Sequence, residues 1–151
     1  TVVAKLFNIV QPTRSYFGQK DAQQVGIIKK MAADLDMGLE IVIVPPVREP
    51  DGLAMSSRNV YLKPDERRAG LVLWKSLCLA RDMHEKGERR AEAIRSAMRE
   101  LIGREPLARL DYVSLAHPQT LDELESLGGP TLVSLAVFVG KTRLIDNVVL
   151  G

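Results

Sequence analysis

Two short stretches of this 151-residue chain carry residue types that could do chemistry on an anion. The first is Gly18-Gln19-Lys20-Asp21, with Gln24 one helical turn beyond Lys20. Glycine opens the backbone and lysine supplies a mobile positive charge. A helix predicted to start here adds unpaired N–H groups and a positive dipole end, so the stretch favours a phosphate or carboxylate. Asp21 and Gln24 have capping-box spacing, and Lys20 and Gln24 are expected to face one crevice. The alternative reading is a capped helix with a solvated lysine. The second stretch is Arg48-Glu49-Pro50-Asp51-Gly52-Leu53-Ala54-Met55-Ser56-Ser57-Arg58-Asn59. Adjacent serines and a fork-shaped guanidinium suit a polyphosphate, because arginine grips phosphate oxygens in pairs and small side chains let backbone N–H groups approach. A surface loop built only for turning is the alternative.

Both stretches need elements that present them. Val3, Leu6, Phe7 and Val10 fall on one stripe and predict a helix closed by Pro12. Ser15-Tyr16-Phe17 predicts a strand ending at Gly18, and Ile28, Met31, Ala32 and Leu35 predict a helix reaching Gly38. Ile41-Val42-Ile43-Val44, β-branched and without alternation, predicts a strand buried on both faces of a parallel sheet and stopped by Pro45-Pro46. Each candidate stretch then follows the carboxyl end of a parallel strand, where open α/β sheets bind ligands. Two parallel strands need neighbours, so this region reads as the second half of a doubly wound domain whose other strands come from elsewhere. The chain starts at Thr1 without an initiator methionine, which fits either its removal or a truncation.

After Lys63-Pro64 the pattern changes. Leu73, Leu77 and Ala80 predict a long helix to about Gly87, and Ile94, Ala97, Met98, Leu101 and Ile102 predict a second. Strands are expected over 110–115, 132–139 and 143–150, the last two joined by a tight turn at Gly140-Lys141. The expected class is therefore α/β: residues 1–61 as the C-terminal part of a Rossmann-like domain, and residues 62–151 as a small α+β domain made of a helical hairpin and antiparallel strands.

Composition narrows the function. With 21 Lys and Arg against 19 Asp and Glu, a net charge of +2 gives no general attraction for nucleic acid or anionic lipid. Arg67-Arg68, Arg89-Arg90, Arg95, Arg99 and Arg104 alternate with acids, as on a solvated helix face. The single Cys78 excludes an internal disulfide and, with Trp74, reads as core packing in a reducing compartment. No run approaches the roughly 18 apolar residues of a membrane span, and no signal-peptide pattern is present, so a cytoplasmic protein is expected. Gly140-Lys141-Thr142 imitates a P-loop ending, but Leu135 stands where its first glycine should be. His84 and His117 lack metal-ligand spacing.

The two stretches, in this order and spacing, resemble the pantoate-beta-alanine ligase (pantothenate synthetase) family, and the likeness extends to Thr142-Arg143-Leu144-Ile145-Asp146-Asn147, similar to the family's closing hairpin. The resemblance implies a Rossmann-like, HxGH-type enzyme. ATP would activate pantoate as pantoyl adenylate with release of pyrophosphate, and beta-alanine would displace AMP to give pantothenate. Gly18, Gln19, Lys20 and Asp21 match the family's ATP-binding tetrapeptide, and Val47 matches a contact on the adenine side. Met55, Ser56, Ser57 and Arg58 match its KMSKS-like loop, and Gln24 matches a pantoate-binding glutamine. Lys20, Ser56, Ser57 and Arg58 are thereby implied as catalytic, with ATP and Mg2+ as cofactors, a homodimer as the assembly, and no nucleic-acid or membrane partner. Magnesium ligands stay unassigned. Gln19 departs from the family's usual glutamate. No segment matches the HxGH motif, so the chain is expected to be a C-terminal portion with weak or no activity alone. A non-catalytic lid or oligomerisation module, and a related nucleotidyltransferase, are the alternatives.

Overall fold

The computed structural model describes residues 1–151, which group into two units, Thr1–Pro46 and Val47–Gly151. The class is α/β, with a parallel sheet in the first unit and an antiparallel sheet with helices in the second.

In the first unit, helix α1 (Val2–Val10) is followed by strand β1 (Arg14–Gly18), a 3-10 turn (Gln19–Asp21), helix α2 (Ala22–Asp34) and strand β2 (Glu40–Val44). Helix α1 ends as Gln11 turns left-handed (φ 49°, ψ 54°) and returns its N–H to the Phe7 carbonyl at 2.8 Å, one residue before Pro12. Strands β1 and β2 pair in parallel from Arg14↔Glu40 to Gly18↔Val44, so α2 is the crossover between them. The apolar positions of α2 that face inward are Val25, Ile28 and Ala32, and Phe7 of α1 meets Phe17 of β1 edge to face at 6.3 Å between ring centres. Within these 151 residues the parallel sheet has two strands, and Ile43 and Val44 of β2 are 39% and 40% exposed rather than covered on both faces.

The second unit begins with the loop that carries the second candidate stretch. It continues through a 3-10 turn (Ser57–Tyr61) and helices α3 (Pro64–Ala69), α4 (Leu71–Glu85) and α5 (Ala91–Gly103). Strands β3 (Ala108–Ala116), β4 (Thr131–Val139) and β5 (Thr142–Leu150) complete it. Pro64 starts α3, where a missing N–H costs nothing, and the Lys63 N–H donates to Glu66 at 2.8 Å. The single long helix expected after Lys63 is instead two, divided at Gly70, where an added Cβ would press on Leu144 at 3.2 Å. Helix α4 closes on Gly87 (φ 96°): the Gly87 N–H reaches His84 O and the Glu88 N–H reaches Met83 O, both at 3.0 Å, the paired bonds of a Schellman cap.

The core of this unit lies where α4 and α5 cover the β3-β4-β5 antiparallel sheet. Leu73, Leu77 and Ala80 from α4 and Ile94, Met98 and Ile102 from α5 pack with Val133, Leu135, Val137 and Val139 of β4. Helical and alternating patterns therefore meet in one cluster, as their periods require. Gly140 takes a left-handed φ of 57° in the β4–β5 turn, which makes Gly140-Lys141 a hairpin connection.

Candidate functional site

The first candidate stretch is built by the β1–α2 junction. Gly18 ends the strand in an extended conformation, Gln19, Lys20 and Asp21 form the 3-10 turn, and Gln24 lies exposed on the first turn of α2. Gln19 and Lys20 are half-buried, while Asp21 is exposed. The expected capping box does not form: Asp21, at φ −98° and ψ 55°, makes no side-chain cap bond. The 3-10 turn removes it from the extended backbone that lets a cap side chain reach the helix N–H groups. The helix start thus receives no bond from its own cap side chain.

The second candidate stretch is a tight, cross-braced loop. Arg48 and Ala54 form an antiparallel bridge. The Glu49 N–H donates to Leu53 O, the Gly52 N–H to Glu49 O and the Met55 N–H to Val47 O, at 2.8, 2.8 and 2.9 Å. Gly52 makes the bend with φ 97°, and a Cβ there would lie 2.1 Å from the Trp74 ring. Ser56 is the cap of the following 3-10 turn: its Oγ accepts the Arg58 N–H at 3.2 Å. Ser57 and Arg58 are exposed on the turn, as are Met55 (55%) and Val47 (64%) at its approach.

Residues that look interchangeable in the sequence have separate roles. Arg48 is committed to structure: its two terminal nitrogens meet the two carboxylate oxygens of Asp146 on β5 at 2.6 and 2.9 Å, and Nη1 also donates to Gly52 O at 3.1 Å. Its guanidinium lies 3.8 Å from the centre of the Trp74 ring. Arg58 is therefore the loop arginine presented to solvent. Arg67 of α3 braces the far side, bonding Glu49 at 2.7 Å and Asp51 at 2.8 Å. The Arg67 guanidinium holds the Glu49 carboxyl below its ordinary range, helped by the Asn59 amide, and does the same to Asp51. Those carboxylates, Asp51 foremost, in turn raise Arg67. Asn59 Nδ2 donates to Glu49 and to Ala54 O, while its Oδ1 is buried without a partner.

Sequence reasoning misses this bracing. Trp74, expected only as helix packing, also carries Arg48, and Cys78 is half-buried, with Sγ 3.7 Å from Arg81 Nη2. Because the bracing reaches α3, α4 and β5, residues 47–61 group with the second unit, whereas the sequence reading keeps them with residues 1–46. Gly18, Gln19, Lys20, Asp21 and Gln24 belong to the first unit; Val47, Met55, Ser56, Ser57 and Arg58 belong to the second. No cluster of three or more His, Cys, Asp or Glu side chains is arranged to hold a metal ion. No helix is long and apolar enough to cross a membrane.

A family model described as pantoate-beta-alanine ligase matches residues 1–149. The pantothenate synthetase of Chloroflexus aggregans is 57% identical over 148 residues, which are 97% of this chain and 53% of that protein. That of Pelotomaculum thermopropionicum is 56% identical over 151 residues, 100% of this chain and 54% of its own length. Among solved structures, pantothenate synthetase from Thermus thermophilus aligns with a TM-score of 0.93 at 43% identity, covering 98% of this chain and 53% of that one. Pantoate-beta-alanine ligase from Francisella tularensis, complexed with beta-gamma ATP and beta-alanine, aligns with a TM-score of 0.68 at 28% identity, covering 97% of this chain and 47% of that one. The chain spans about half the length of these relatives.

Proposed function

Because the chain belongs to the pantoate-beta-alanine ligase family, we propose that it forms the C-terminal portion of an ATP-dependent ligase that joins pantoate to beta-alanine through pantoyl adenylate. The pantoate carboxylate attacks the α-phosphorus of ATP and pyrophosphate leaves. The beta-alanine amine then attacks the acyl carbonyl, and AMP leaves with the electron pair of the broken acyl–oxygen bond.

Phosphoryl transfer of this kind is promoted by positioning and by charge placed where the phosphate oxygens become more negative. In this reading Gly18, Gln19, Lys20 and Asp21 bind ATP at the start of α2, with Lys20 supplying the positive charge to its phosphates. Ser56, Ser57 and Arg58 are the phosphate-binding residues of the second unit, carried on its capped 3-10 turn. Val47 offers exposed apolar surface to the adenine side, Met55 belongs with Ser56, Ser57 and Arg58 to the KMSKS-like ATP loop, and Gln24 binds pantoate. The neutral Gln19 adds no negative charge beside the phosphates. Magnesium would be held by the ATP phosphates rather than by a protein cage, since no three His, Cys, Asp or Glu side chains cluster to hold a metal, and it would supply positive charge there. In the same reading residues 1–61 are the part that binds ATP and pantoate, and residues 62–151 form the lid. Homodimerisation, a cytoplasmic location and low activity of these residues alone belong to the same reading.

The observation that carries this proposal is the family match across residues 1–149, and the residue types of the Gly18–Asp21 and Ser56–Arg58 turns support it. The test is pantoate-dependent exchange of pyrophosphate into ATP by the full-length protein. Lys20→Ala and Arg58→Ala should each slow it by about two to three powers of ten, the usual loss when a charge-stabilising donor is removed. Unchanged rates in both variants would overturn the assignment and favour a non-catalytic module.

A further inference from the structure

We propose that Arg48 and Asp146 are positioning residues for the Ser56–Arg58 turn. They touch no substrate themselves, but their pairing sets ATP affinity and the adenylation rate. The inference rests on the ligase reading above and deepens it.

The argument begins with burial. The Arg48 and Asp146 side chains are 16% and 2% exposed, so neither is presented to a ligand, and each satisfies the other's charge. Buried pairs of this kind are retained at a desolvation cost, which makes them weak as stabilisers and more telling as devices that fix geometry. Here the pair fixes a loop to a sheet. Asp146 lies on β5, hydrogen-bonded within the antiparallel sheet opposite Leu135, and its Oδ1 also accepts the Asn147 N–H at 2.8 Å. From that anchor the restraint passes along bonds already described. Asp146 holds Arg48, Arg48 bridges Ala54, and Met55 is tied to Val47 beside Arg48, so the residue entering the turn is held on both flanks. The Arg48 bond to Gly52 O and the Trp74 ring beneath its guanidinium remove the remaining freedom of the bend. A misplacement of about 1 Å at a phosphate-binding turn is enough to cost roughly a hundredfold in rate, so a remote tether can govern the chemistry.

The experiment uses the full-length protein and separates KM from kcat. Asp146→Asn, which keeps the shape and removes the charge, should raise KM for ATP and lower kcat. The combined loss in kcat/KM should be about 10- to 100-fold, with KM for beta-alanine unmoved. Arg48→Lys keeps the charge but loses the fork and the ring contact, and should shift the same constants in the same direction; it decides the matter if Asp146→Asn does not fold. Ile102→Ala, a core truncation on α5 that leaves the pair intact, should lower Tm while leaving KM for ATP unchanged. The proposal is overturned if the folded pair variants keep both ATP constants within about twofold of wild type, or if Ile102→Ala reproduces their KM shift. Absence of pantoate-dependent AMP release from wild type would remove the ligase reading and this proposal together. An active wild type with unaffected pair variants removes this proposal alone.

Discussion

Arg48 and Asp146 stand 98 positions apart in the chain and meet as a two-point ion pair at 2.6 and 2.9 Å. Their contact ties the first polar loop of the second unit to its last strand, so the loop inherits the rigidity of a sheet. Removing one partner of such a buried pair costs roughly 3–5 kcal/mol, because the survivor is left as an uncompensated charge. The loop's geometry and the unit's stability are therefore measured by overlapping mutations, and kinetic and thermal readouts must be taken together.

Gly52→Ala should be poorly tolerated. Gly52 has φ 97° and would place a Cβ 2.1 Å from Trp74, so backbone strain adds to overpacking. The expected loss is about 2–4 kcal/mol. It is read as a lower urea midpoint at unchanged slope, and an unaltered midpoint would refute the contact.

Glu49 and Asp51 should make stability fall in acid. Their carboxyls are held below the ordinary values of 4.5 and 3.8, chiefly by hydrogen bonds from Arg67. A carboxylate depressed in the folded state contributes stability above its unfolded pKa and loses it as pH falls through the folded one. Urea midpoints taken from about pH 6 down to about pH 3 should therefore decline, and Arg67→Met should flatten that decline. Parallel curves for the two proteins would show that Arg67 is not the cause.

Glu88 should titrate near 2, well below its ordinary 4.5. The Arg90 side chain is the main cause, followed by the backbone N–H groups of Arg90 and Arg89, which donate at 2.9 and 3.0 Å. Carboxyl NMR on Arg90→Ala should therefore show a midpoint that rises only part of the way, since the backbone donors remain. A full return to 4.5 would mean that the backbone bonds contribute nothing.

Leu77→Ala and Val60→Ala should separate core from surface. Leu77 is 0% exposed between α4 and the sheet, and its truncation should cost about 2–5 kcal/mol through lost burial and a residual cavity. Val60 is 79% exposed, so its truncation should leave the urea midpoint within error.

Local periodicity makes most elements legible. Ile94, Met98 and Ile102 mark a helix face that the structure buries, and Leu132 to Val139 form a strand because their neighbours pair on both sides. The turn at Gly140-Lys141 is readable from residue type. What escapes is set by distant partners. Nothing near Arg48 announces Asp146, and nothing near Trp74 announces a guanidinium on its ring, so two loop arginines look alike. The Asp21–Gln24 spacing suggests a cap that a 3-10 turn prevents, and the β-branched run at Ile41 reads as doubly covered although its sheet has two strands. The Gly18–Asp21 and Met55–Arg58 turns stand out as candidates because glycine, serine and basic residues suit an anion whatever their distant contacts.

The paired strands β1 and β2 each keep one edge without a strand neighbour, and Tyr16, Ile43 and Val44 stay open to solvent beside them. Residues 41–44 are apolar, and the two features that keep such edges from templating foreign strands stand at their ends, the charge of Glu40 and the Pro45-Pro46 pair. In a peptide of residues 1–46 alone, Glu40→Val combined with Pro45→Val is therefore expected to promote β-rich aggregates that the unaltered peptide resists.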